Sequence, residues 1–167
     1  MMLSLIGMWA SIFAGSAGSG TFWYWDSIPE AWWMSEFSAL HTFLSGLPYD
    51  ISSFDWLPLI AHHLPHTVES VGLQGRLNNS TDVQFILLWL HNLNGTEPCS
   101  QPATSLVAPF SLDLFVKSHH HTLEWKFYFL NSATGLPLSS PTTATSSSVL
   151  TISTPEFISD IILVAYV

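Results

Sequence analysis

The stretch Leu123-Glu124-Trp125-Lys126-Phe127 alternates between apolar and charged residues. In an extended chain Leu123, Trp125 and Phe127 point to one side and Glu124 and Lys126 to the other, the pattern of a strand with one buried and one wet face. The predicted strand spans 122–130. It runs into Asn131-Ser132-Ala133-Thr134-Gly135, whose small and amide side chains favour a turn. Outward from there, apolar runs bounded by turn residues predict further strands at 68–76, 83–91, 106–116, 149–153 and 158–167. Residues 139–148 are mostly Ser and Thr with Pro141, and read as a loop. Short strands at this spacing predict an antiparallel sandwich over 67–167. Residues 47–66 hold Pro48, Pro58 and Pro65 without periodicity and read as a surface linker.

Residues 1–46 read differently. Leu5, Met8, Trp9, Ile12 and Phe13 recur at helical spacing, and the Gly-rich stretch 15–20 ends that helix. A second reading takes 1–20 as a secretory signal, because an apolar run precedes small residues; no Lys or Arg occurs before Arg76 to supply its basic start. Thr21-Phe22-Trp23-Tyr24-Trp25-Asp26 is almost continuously apolar, as in a strand buried on both faces of a parallel sheet. Ser27 or Asp26 can cap a following helix with Pro29 in its first turn. Within 31–44, Trp33, Phe37, Leu40 and Leu44 form an apolar stripe. Helix, strand, helix is a unit of an α/β fold, and one such unit cannot cover a lone strand.

Composition narrows the function. Of 167 residues 48% are hydrophobic, enough for a packed core. Three basic residues stand against 12 acidic, a net charge of −9. That argues against nucleic-acid binding and against docking on anionic membranes, since both need Lys and Arg. Polar character comes from 24 Ser and 13 Thr, a surface that suits an extracellular or cell-surface location. The single cysteine, Cys99, excludes an intrachain disulfide and reads as an inert loop thiol. Sequons at Asn78, Asn79 and Asn94 are glycan acceptors only in a secreted chain.

The stretch from Trp9-Ala10-Ser11 through Trp23-Tyr24-Trp25-Asp26 resembles a segment of cellulase-like glycoside hydrolases of the (β/α)8-barrel clan. There a small-residue turn leads into the eighth barrel strand, which ends in tryptophans and an aspartate; Tyr24 departs from the usual tryptophan. Glu124-Trp125, then Asn131 to Gly135, then Pro155-Glu156-Phe157-Ile158-Ser159-Asp160-Ile161 resemble the C-terminal sandwich such enzymes often carry. The resemblance implies an α/β fragment, the last helix–strand–helix of a (β/α)8 barrel (1–46), then a linker (47–66) and an all-β antiparallel sandwich (67–167). The family's two catalytic glutamates lie on barrel strands that this chain lacks. The resemblance therefore implies the C-terminal portion of a secreted glycoside hydrolase acting on β-linked polysaccharide, inactive alone and completed by a missing N-terminal barrel portion.

Residue by residue, the resemblance gives Trp25, Trp23 and Asp26 a substrate-binding role at the active-site rim: rings stack on sugar, and the carboxylate accepts hydroxyl hydrogen bonds. By position alone the aromatics read as core and Asp26 as a helix cap. Asp26 and Glu30 are too local to flank a scissile bond, and Glu36 reads as a solvated helix position. His62, His63 and His66 are interrupted by Pro65, and His119, His120 and His121 read as a turn; neither cluster has metal-ligand spacing. No cofactor motif occurs, and Gly18-Ser19-Gly20 precedes a strand rather than following one. The expected partner is an oligo- or polysaccharide. The alternative is a stand-alone secreted β-sandwich module for carbohydrate binding or adhesion, with 1–20 a signal, 21–46 an amphipathic lead-in, and exposed aromatics such as Trp89 or Trp125 doing the binding.

Overall fold

A computed structural model of the chain describes residues 9–15, 30–77, 80–93, 105–116, 122–146 and 148–167. Among the described residues, nine strands form two antiparallel sheets. The larger sheet has six: β1 (Phe54–Leu59), β3 (Val68–Leu77), β4 (Phe85–Asn92), β6 (Leu123–Asn131), β7 (Thr142–Ser146) and β9 (Asp160–Tyr166), in the order β1-β3-β4-β9-β6-β7. The smaller sheet orders β2 (Ala61–His62), β5 (Ser111–Phe115) and β8 (Val149–Ser153) as β2-β5-β8.

Alternation along the strands sorts the side chains into two cores. In β4 and β9, Ile86, Leu88, Leu90, Ile161, Leu163 and Ala165 point into the sandwich. There they meet Leu112, Leu114, Leu150 and Ile152 of the smaller sheet, with Trp125 and Phe129 of β6. The intervening residues, Phe85, Leu87, Trp89, Ile162 and Val164, point the other way into a second core. That core is closed by the helix Glu30–Gly46, through Ala39, Leu40 and Phe43, and by helical residues 9–13, through Trp9 and Phe13. The result is three layers: helical segments, large sheet, small sheet. Each buried Leu or Ile contributes roughly 1.5–3 kcal/mol of transfer free energy, so both cores matter to stability.

The second core is aromatic where the helical segments meet. Phe43 lies 5.3 Å from Trp9, edge-on, and 5.9 Å from Phe13. The turn after β6 helps to seat the helix. The Gly135 N–H donates to the Asn131 carbonyl at 2.8 Å, and the Ala133 N–H donates to the Asn131 side-chain oxygen at 2.8 Å. Gly135 has φ +70°, and a Cβ there would run into the Ala39 carbonyl and the Phe43 nitrogen of the helix. Glycine is needed here for both reasons.

Several sequence expectations are corrected by this architecture. The fold is an all-β sandwich-like domain with a helical layer, and not the helix–strand–helix end of a (β/α)8 barrel. Every described strand pairing is antiparallel, whereas the barrel is built of parallel strands. The helix that was to be the last barrel helix instead covers the outer face of the antiparallel sheet. Its buried face is Ala39, Leu40 and Phe43, while Phe37 and Leu44 of the expected stripe are exposed.

Residues 47–66, expected to be a linker, carry β1 and β2. Asp50 caps a short 3₁₀ turn by accepting from the Ser52 N–H at 2.9 Å, and β1 then pairs with β3 from Phe54↔Leu77 to Leu59↔Gly72. Pro58 is tolerated because β1 is an edge strand. Thr142–Ser146, expected to be loop, pairs with β6 as the opposite edge; β-branched Thr suits a strand once a partner is present. The expected strand at 21–26 lies outside the described residues.

Candidate functional site

The helical layer covers one face of the large sheet and the small sheet covers the other. The outward residues of the small sheet are exposed or half-buried, and their sequence is mixed. Ser111, Asp113 and Phe115 of β5 and Val149, Thr151 and Ser153 of β8 alternate outward, against the inward Leu112, Leu114, Leu150 and Ile152. Register places Asp113 between His62 on β2 and Thr151 on β8.

Three side chains join there. The Thr151 hydroxyl donates to Asp113 Oδ1 at 2.6 Å, and His63 Nδ1 lies 2.9 Å from Asp113 Oδ2. The Thr151 hydrogen bond is the main cause that holds the Asp113 carboxyl below the usual carboxylate range; partial desolvation works against it, and His63 and His62 add to the lowering. An ionised carboxylate only accepts, so His63 Nδ1–H is the donor of the pair. This fixes the imidazole with Nε2 turned to solvent, and the ring is largely exposed. His63 has φ +62°, the left-handed region. That conformation costs a non-glycine residue roughly 1–2 kcal/mol, and the ring's bond to Asp113 helps to offset it.

Beside this network lies a cavity of about 400 Å³ where β1 of the large sheet meets β2 and β5 of the small one. Pro58, Ile60, His62, Gln74, Phe115 and Ser148 line it. Phe115 is 52% exposed, and the His62 ring meets it edge-on at 4.7 Å. Gln74 is anchored below by donating to the Pro58 carbonyl at 3.0 Å. The site thus sets an aromatic ring beside a charged acceptor, a hydroxyl and an imidazole.

The residues singled out in the sequence fare unequally. Trp23, Trp25 and Asp26 lie outside the described residues. So do Cys99, the three sequon asparagines and His119, His120 and His121. Trp89 and Trp125, expected as exposed binding rings, are both buried. Trp125 is sandwich core; Trp89 stacks on His91 at 5.1 Å, and its Nε1 lies 3.4 Å from the buried Asp160 carboxylate. His62 and His63 do come together with an acid, while His66 is separately exposed. Among the described residues no group of three or more His, Cys, Asp or Glu side chains could hold a metal ion. Sequence reasoning missed Asp113, Thr151 and Phe115. The alternation of 111–115 and 149–153 was the available signal, since it marks which residues point away from the core.

No protein-family model matches the chain, and no curated protein is similar to it. Together with the antiparallel sheets, this overturns the glycoside hydrolase and TIM-barrel expectation.

Proposed function

We propose that this protein is a non-catalytic β-sandwich binding module that takes an oligo- or polysaccharide on the outer face of its small sheet, and that it works at the cell surface or outside the cell. The observation that carries the reading is Phe115, a half-exposed aromatic ring standing two residues from a hydrogen-bonded carboxylate on the outward side of the small sheet. A pyranose has an apolar face for such a ring and a rim of hydroxyls for Asp113, Thr151 and the fixed imidazole. Low Lys and Arg content supports an uncharged, hydroxyl-rich partner over a polyanion.

The test is affinity electrophoresis of the full chain in gels containing soluble β-glucan, xylan or hydroxyethyl cellulose, with titration calorimetry on whichever retards it. Phe115→Ala is expected to weaken retention about tenfold, equivalent to about 1.4 kcal/mol. Free migration in every gel, or retention unchanged in Phe115→Ala, refutes the reading.

A further inference from the structure

A second cavity, of about 310 Å³, lies on the opposite side of the molecule's large sheet, between the C-terminal end of the helix and strands β6 and β9. Pro48, Leu136 and Pro137 form apolar walls, and among the described residues no charged side chain lines the space. Tyr128 and Tyr166 contribute phenol rings, set edge to face at 6.4 Å and 77°. Tyr128 is only 8% exposed. Its hydroxyl makes no hydrogen bond among the described residues and is not one of their fully buried polar atoms, so it is reachable from the cavity that Tyr128 lines. Burial, with Tyr166 beside it, pushes its pKa up to about 12, so the hydroxyl stays protonated and able to donate. The Thr42 hydroxyl at the rim is already used, donating to the Ser38 carbonyl at 2.7 Å.

The cavity's size and lining match those of small-molecule sites: mostly apolar, with a few placed polar groups. Its volume is about twice that of an apolar cavity known to hold one benzene ring. An ionised ligand seated there would give up part of its hydration without a counter-charge from the described lining to offset it. We propose that this cavity binds a small, neutral, largely apolar molecule of the size of a substituted single ring, oriented by an acceptor oxygen on the Tyr128 hydroxyl. The site is separate from the Phe115 face and stands or falls independently of the saccharide reading.

The experiment is an amide NMR titration of the full chain with three probes: acetophenone, ethylbenzene and benzoate. Acetophenone is expected to shift the resonances of Tyr128, Leu136 and Tyr166. Ethylbenzene, which lacks the acceptor, should bind about tenfold more weakly, and benzoate should not bind. Tyr128→Phe keeps the ring and removes the donor, so it should equalise acetophenone and ethylbenzene. Gly46 also lines the cavity, and a Cβ there would meet nothing within 4 Å; Gly46→Leu should occupy the space and abolish binding of both. Absence of shifts at these residues with millimolar acetophenone overturns the proposal. So does a preference for acetophenone that survives Tyr128→Phe.

Discussion

Replacing Gly135 with alanine tests the seating of the helix on the sheet. One methyl group is added, and it acts twice. The native φ of +70° is left-handed, which costs an alanine roughly 1–2 kcal/mol. The methyl also meets backbone, the Ala39 carbonyl and the Phe43 nitrogen, rather than the movable end of a side chain. The helix must therefore withdraw, and withdrawal uncovers Phe43, whose ring is fully buried against Trp9 and Phe13. Complete loss of one buried phenylalanine costs about 3–5 kcal/mol, which bounds the penalty of partial undocking. The expected total is about 2–4 kcal/mol of destabilisation, within the range of backbone-strain effects. The assay is urea unfolding followed by tryptophan fluorescence and far-UV circular dichroism. Gly46→Ala is the matched control: the site is open, and an alanine near the helix end is expected to be neutral or to stabilise by up to about 1 kcal/mol. If Gly135→Ala unfolds within about 0.5 kcal/mol of the wild type, the helix does not rest on the 131–135 turn and the layered core is wrong.

Three further outcomes are expected. Trp125→Ala, at a fully buried ring of the sandwich core, should cost about 3–5 kcal/mol in the same unfolding assay; a mild effect would return Trp125 to the surface. Phe115→Ala should change stability by less than about 0.5 kcal/mol while weakening saccharide retention, and a large stability loss would make Phe115 a core residue instead. Thr151→Val should act through Asp113, whose folded-state pKa is lowered. A lowered carboxylate pKa stabilises the fold above the ordinary value, about 3.9, and that contribution disappears as pH falls through the folded-state value. Thr151→Val should therefore be less stable than wild type at pH 5–7, with the gap narrowing toward pH 2. A gap that stays constant or widens in acid contradicts the Thr151–Asp113 bond.

The parts legible in the sequence are those where local pattern and tertiary demand agree. Leu123 to Phe127 alternates because only one side of β6 faces the sandwich there, and Val149–Ser153 alternates because β8 has a wet outer face. The pattern of Thr142–Ser146 is set elsewhere. Its Ser, Thr and neighbouring Pro141 read as loop, and only the ladder to β6, with Leu123↔Ser146 and Phe127↔Thr142, makes it a strand. The site was hidden for the same reason. Asp113 meets His63 across 50 residues and Thr151 across 38, and no local spacing encodes a meeting made by strand pairing.

The misreading of fold class has a more specific cause. An apolar run without alternation, such as 21–26, reads as a parallel strand because parallel sheets are usually covered on both faces. Phe85–Asn92 is buried at every position and Asp160–Tyr166 at nearly every one, yet both run antiparallel to all their neighbours. Continuous apolarity therefore reports two-sided coverage and carries no information about strand direction. Here the coverage comes from unlike layers, helix on one side and small sheet on the other. The same division bears on function. The helical layer occupies the outer face of the large sheet, where Trp89 is already buried with the His91–Asp160 pair. Among the described residues, the outward positions of the small sheet stay exposed or half-buried, and it is there that Phe115, Asp113 and Thr151 alternate with the inward-facing aliphatic residues.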